Sequence, residues 1–169
     1  MPHLKDAIRQ RVSGESLRGT GRHGPFEADR MVDDATLRKI LLDTRTIAVV
    51  GCSKDPSKEA HRVPAYLQAN GYRIIPVNPT ADTILGETAF KSLDDIREPY
   101  DLVEIFRPSE HVPPFVDQAL RGPAKTVWMQ TGISNDEAAR KAEAAGRIVV
   151  QDRCMRTEHM RLLGGLPGS

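Results

Sequence analysis

The sequence predicts an α/β fold: a doubly wound, mainly parallel five-stranded sheet as the middle of three layers, with helices on both faces. Three observations predict it. Short apolar runs without alternation, such as IAVV at 47–50 and RIIPV at 73–77, have the pattern of strands buried on both faces. Segments with apolar residues at helical spacing stand between them, and that alternation favours a parallel sheet with right-handed crossovers. The length of 169 residues accommodates one such domain with a real core and is too short for two enzymatic domains of ordinary size.

Residues 1–30 carry charges and glycines without a sustained period, and are expected to form a mobile or loosely packed arm before a folded unit at 31–163. Asp33 or Asp34 can cap a helix with Leu37, Ile40 and Leu41 on one face. The first strand follows at 46–50 and stops at Gly51. The next helix has Val63, Tyr66 and Leu67 at helical spacing and a stop at Asn70-Gly71; Pro64 belongs in an opening turn, which sets the start at 61–63. The second strand, at 73–77, turns at Asn78-Pro79. An irregular connection at 84–90 leads to a short turn capped by Ser92. The third strand, 101–106, exits into Arg107-Pro108, and Pro113 and Pro114 fit only the first turn of the helix after it, which Gly122 closes. The fourth strand is 125–129. Ser134 and Glu137 have capping-box spacing, ahead of a helix with small residues at Ala138, Ala142 and Ala145. The fifth strand is 148–150, followed by a short helix and a flexible tail at 164–169.

The 24 basic and 23 acidic residues, net charge +1, give no general attraction to nucleic acid or to an anionic membrane. No window approaches the ~20 apolar residues of a membrane span, and the N-terminus lacks the apolar centre of a secretory signal, so a cytoplasmic protein is expected. Cys52 and Cys154 form neither a disulfide framework nor a zinc spacing and read as two reduced thiols. His61, His111 and His159 read as surface or helix-end residues rather than metal ligands or general bases. Glu104, inside an apolar strand, faces a polar edge of a site or caps a neighbouring loop. Trp128 is core.

A doubly wound sheet binds ligands at the carboxyl ends of its strands, where the strand order reverses. The ends here are Gly51-Cys52-Ser53, Asn78-Pro79, Arg107-Pro108 and 130–132. In the first of them, Ser53, Lys54, Ser57, Lys58 and Arg62 supply hydroxyl and cationic donors, which suits an anion, phosphate above all. Two nucleotide signatures fail. The dinucleotide fingerprint needs glycine at the first, third and sixth loop positions, where this chain has Gly51, Ser53 and Pro56, and the acid that takes the ribose is replaced by Asn78-Pro79. The Walker glycine-lysine-serine loop is absent as well, which leaves ATP or GTP hydrolysis unsupported.

The motifs VVGCSKDP (49–56), YLQANGYRIIPVNP (66–79), ILGE (84–87), VEIFRPSE (103–110), VWMQTGI (127–133) and VVQDRC (149–154) occur in an order that resembles the CoA-binding domain family. Its members are small single-domain proteins related to the CoA-binding part of the succinyl-CoA synthetase α subunit. The resemblance implies a Rossmann-like domain that holds CoA or an acyl-CoA across the strand ends. Gly51 and Ser53 then sit at the pyrophosphate loop with Cys52 between them, and Asn78-Pro79 lines the adenosine side. Phe106-Arg107-Pro108 and Met129-Gln130 border the path of the pantetheine arm. Lys54, Lys58, Arg62 and Arg107 are the cations available for the phosphates, with their pairing left open.

Cys52 stands where the family's loop is expected to carry a small or apolar residue. A thiol beside a CoA site invites a mixed disulfide with it; the plainer reading is a small buried side chain under the loop. Nothing amounts to a catalytic constellation, and ligation of the synthetase kind needs a phosphorylatable histidine on a second domain and an ATP-grasp partner. The expectation is a stand-alone CoA-binding protein without catalysis, a carrier, sensor or regulatory module, as a monomer or weak homodimer. The alternatives are an NAD(P)-binding oxidoreductase-type domain and the CoA-site subunit of a separately encoded acyl-CoA ligase.

Overall fold

The structure is a computed structural model that describes residues 31–164; the arm expected at 1–30 and the tail beyond residue 164 lie outside the described residues. The chain runs α1 (Asp34–Asp43), β1 (Thr46–Val50), α2 (Glu59–Ala69), β2 (Arg73–Val77), β3 (Thr83–Ile84) and β4 (Glu87–Thr88). It continues through β5 (Leu102–Ile105), α3 (Val112–Arg121), β6 (Thr126–Met129), α4 (Asp136–Ala144), β7 (Ile148–Val150) and α5 (Met155–Leu163). The five long strands form one parallel sheet in the order β2-β1-β5-β6-β7. The order reverses between β1 and β5, so their carboxyl ends open a crevice there.

Strand alternation sorts the side chains onto two covered faces. Ala48, Val50, Val103, Ile105, Val127 and Met129 pack with Val112, Val116, Ala138 and Ala142 of α3 and α4. The other face carries Ile47, Val49, Glu104 and Trp128, beneath α1, α2 and α5, whose Leu37, Leu41, Val63, Leu67 and Met155 are buried. Pro76 is tolerable in β2 because that strand has a long-strand neighbour only on the β1 side. On its outer side the Pro76 carbonyl accepts a hydrogen bond from Phe90 N at 2.9 Å.

Local chemistry departs from the expected elements at three places. The connection at 84–90 is partly a tight hairpin, β3 with β4, whose turn residues Leu85 and Gly86 have φ of 55° and 75°. Leucine rarely adopts such a φ, so its presence concealed the turn. The expected capping box is replaced by Asn135, whose Oδ1 accepts from Ala138 N at 3.0 Å, while Ser134 N donates to Ser109 Oγ at 3.0 Å. Helix α2 begins at Glu59, ahead of the expected start, and leaves Pro64 in its interior.

Two buried polar residues also differ from expectation. His159 is neither at the surface nor at a helix end: it lies buried within α5, hydrogen bonded through Nδ1 to the Tyr66 hydroxyl at 2.9 Å, and burial lowers its pKa. Glu104 neither faces a polar edge nor caps a loop. It is 0% exposed, and neither carboxyl oxygen is hydrogen bonded to any described residue. Burial pushes its pKa well above the ordinary 4.5. Trp128 is core as expected, with Nε1 donating to Arg153 O at 2.8 Å.

The raised Glu104 pKa sets the sign of a pH effect. The folded chain keeps a proton that the unfolded chain releases near 4.5, so this contribution to stability is complete below that pH and is lost as pH rises towards the folded value. Glu104→Met is expected to flatten that slope and, at neutral pH, to stabilise the fold by about 1–3 kcal/mol, the desolvation penalty of one unpaired polar group. Urea unfolding from pH 4 to 8 measures both; a variant less stable than the parent at pH 7 would contradict it.

Candidate functional site

The site is built where β1 and β5 part. Gly51 has φ 79°, and a Cβ placed on it would lie 2.6 Å from the Phe106 carbonyl oxygen and 3.0 Å from Arg107 Cδ. Only glycine permits both that backbone turn and that approach. The stem of Arg107 therefore lies against the β1 loop. Gly51 N donates to Val77 O at 3.0 Å, and Asn78 Nδ2 donates to Cys52 O at 2.9 Å, which ties the same loop to the end of β2.

Pro64 controls the other side of the loop. A helical residue at 64 would donate its N–H to the Ala60 carbonyl, and proline has none. The Ala60 carbonyl instead accepts from Ser53 N at 3.0 Å. His61 Nδ1 reinforces this link, 2.7 Å from Ser53 O. The N-terminus of α2 is consequently held against the loop. No side chain among the described residues caps it, whereas Asp33 and Asn135 cap α1 and α4.

Two adjoining cavities occupy the crevice. The first, ≈ 490 Å³, is bounded by Gly51–Ser53, Asn78–Thr80, Lys58, Lys91 and Phe115. The second, ≈ 480 Å³, lies over β6 and the start of α5, against Pro108, Gln130, Ile133, Cys154, Arg156 and Thr157. Ala60, Phe106 and Arg107 line both. Arg107 is exposed and has no hydrogen bond or ion pair with any described residue. A third cavity, ≈ 390 Å³ between Arg97–Tyr100 and Arg121–Pro123, lies at the opposite end of the strands.

Of the residues singled out from sequence, Gly51, Cys52, Ser53, Asn78, Pro79, Phe106, Arg107, Pro108 and Gln130 line the crevice. Three do not. Lys54 sits exposed at the tip of a turn in which Asp55 N donates to Ser53 Oγ at 3.1 Å. The Arg62 guanidinium braces its own loop, donating to Ser57 O at 2.8 Å and Pro56 O at 3.3 Å. Met129 is in the core, because alternation along β6 turns it towards α3 and α4. Lys91, Cys154 and Arg156 enter the crevice from segments with no local signal for it. The first follows Phe90 beside β2; the others come with the start of α5.

The two thiols sit in opposite environments. Cys52 is 0% exposed, and burial, with the Glu104 charge added, pushes its thiol up to about 12; it is the small buried side chain of the plainer reading. Cys154 is half-buried at the N-cap of α5. Burial raises its pKa, but the Thr157 and Gln130 side chains and the Thr157 and Arg156 amides together outweigh that, and the thiol lies below its ordinary value. Among the described residues, no cluster of three or more His, Cys, Asp or Glu is placed to hold a metal ion, and no helix is long and apolar enough to cross a membrane.

Comparison with known proteins supplies the context. The family described as "CoA binding domain" matches residues 45–160. The uncharacterized protein YneT of Bacillus subtilis (strain 168) is 41% identical over 125 residues, spanning 74% of this chain and 93% of that protein. An ADP-forming acetate–CoA ligase II of Archaeoglobus fulgidus is 32% identical over 112 residues, 64% of this chain but 16% of the ligase. A hypothetical protein from Pyrococcus horikoshii OT3 superposes with TM-score 0.78 at 39% identity, covering 80% of this chain and 95% of that structure.

Pro64→Ala tests the loop anchor. It restores an N–H that competes for the Ala60 carbonyl, so Ser53 amide exchange is expected to accelerate about 2–10-fold, the worth of one net hydrogen bond, with no loss of global stability. Unchanged Ser53 protection would contradict the anchor.

Proposed function

The chain belongs to the CoA-binding domain family, and on that premise we propose that it binds CoA or an acyl-CoA across the carboxyl ends of β1, β2, β5 and β6, without transforming it. The observation that carries this reading is Arg107. An arginine without an ionic partner among the described residues, lining both cavities, is suited to charge-assisted hydrogen bonds with a phosphate group. The surroundings fit the same ligand. The uncapped first turn of α2 offers backbone N–H groups to an anion, and Lys58 and Lys91 add charge to the first cavity. Gly51, without a Cβ, lets the stem of Arg107 lie against the loop that borders the first cavity.

The division of the crevice suits the two ends of CoA. The first cavity, with its lysines and Asn78-Pro79, suits the adenosine and phosphates. Phe106, Pro108 and Ile133 in the second suit the less polar pantetheine arm. A carrier, sensor or regulatory role fits this reading. A second reading, the CoA-site subunit of a separately encoded ligase, draws on the similarity to 16% of the archaeal ligase.

Thermal shift is the test. CoA at about 100 times its Kd is expected to stabilise the protein by about 2.7 kcal/mol, raising Tm by about 5–10 °C. Dephospho-CoA and ADP are expected to give smaller shifts, and NAD none. Arg107→Ala is expected to weaken CoA binding about tenfold or more, with an apo Tm near the parent's. Stabilisation by NAD but not CoA would overturn the reading, and an Arg107→Ala effect confined to apo stability would make Arg107 structural.

A further inference from the structure

Cys154 occupies a position that binding alone leaves unused. Its half-buried side chain lines the second cavity, at the mouth of the nine-residue helix α5 and opposite Phe106 and Pro108. Gln130 Oε1 accepts from Met155 N at 2.9 Å, so its Nε2 is the end turned to the thiol. A thiolate at a helix N-terminus with side-chain donors around it is the nucleophilic form of cysteine.

A second observation falls at the same place. Glu104 shares a sheet face with Phe106, two residues along the same strand run, and pairs in register with Trp128, two residues before Gln130. It therefore lies beneath the floor of the second cavity, aimed from the sheet towards α5. Its carboxyl is fully buried and unpartnered among the described residues; its charge raises the Cys52 pKa, and the Cys154 charge helps to raise its own. A carboxyl in that condition destabilises the fold, so its presence under the cavity points to a demand other than stability.

We propose that Cys154 is a covalent attachment site for CoA, formed by thiol–disulfide exchange with a CoA disulfide bound in the crevice. The inference rests on the CoA-binding reading above. In the exchange, the Cys154 thiolate attacks one sulfur of the CoA disulfide. A new S–S bond joins Cys154 Sγ to that sulfur as the old one breaks. The second CoA departs as a thiolate and takes a proton from water, and the Cys154 proton has already passed to solvent. One disulfide is consumed and one formed, with no external oxidant. Free CoA thiol reverses the step. Cys52, at the neighbouring cavity but buried under the loop, is not expected to react.

The test uses the full chain, reduced and then incubated with CoA disulfide or, separately, with hydroxyethyl disulfide, and read by intact mass and peptide mapping. The expected result is one CoA adduct on the peptide that contains Cys154, removed by dithiothreitol and absent in Cys154→Ser. It should form at least about tenfold faster with CoA disulfide than with hydroxyethyl disulfide, because binding orients the sulfurs. Arg107→Ala should slow the CoA reaction by a larger factor than the hydroxyethyl reaction. An adduct on Cys52, or equal rates with the two disulfides, overturns the proposal. If CoA raises Tm but no adduct forms, the proposal falls and the binding reading stands; if CoA leaves Tm unchanged and no adduct forms, both fall.

Discussion

The crevice depends on one hydrogen bond that a proline releases. Pro64 leaves the Ala60 carbonyl without its helical donor, and the Ser53 amide takes it at 3.0 Å. That bond fastens the loop after β1 to the first turn of α2, so the loop and the helix N-terminus are positioned as one unit. Once the loop is held there, its neighbours have little freedom. Gly51 must do without a Cβ, because Phe106 O lies where one would stand, and Asn78 must reach Cys52 O to close the side next to β2. The helix N-terminus is left facing the crevice, where unsatisfied N–H groups favour an anion.

Charge in this crevice is local. A net charge of +1 gives no long-range pull on an anion, yet Lys58, Lys91 and Arg107 converge on one cavity. Several cations in or near it are already engaged: Lys91 with Asp82 at 3.6 Å, Arg62 with its own loop and Glu59, and Arg156 with Glu59 at 2.9 Å. Arg107 differs from them in having no partner among the described residues, which makes its charge available without breaking an existing contact. Beneath the crevice, Glu104 lies near both thiols. Burial governs Cys52, while donors at the start of α5 govern Cys154.

Much of the fold was legible because its strands are buried on both faces. Unbroken apolar runs located β1, β2 and β7 to the residue, and Asp33, Ser92 and Gly122 stopped or started elements where their chemistry suggested. The boundary of α2 was not legible. A proline inside a helix normally carries a large penalty, and only the three-dimensional demand for the Ala60 carbonyl shows how it is accommodated. The hairpin at Leu85-Gly86 escaped for a similar reason, since a leucine stands where glycine or asparagine is the usual signal.

The crevice was legible to the extent that strand ends define it. Gly51, Asn78 and Arg107 follow strands directly and were found from sequence. Lys91 and Cys154 were not, because they arrive through a loop beside β2 and through α5, and nothing local announces that proximity. Met129 was misplaced because a strand's last residue points to whichever face alternation dictates.

An amide NMR titration of the full chain with CoA locates the bound ligand on the sheet. The largest shift changes are expected on Ser53, Glu59, Ala60, Arg107 and Gln130, around the reversal in strand order. Changes concentrated instead around Tyr100 and Gly122, at the opposite end of the sheet, would contradict that placement.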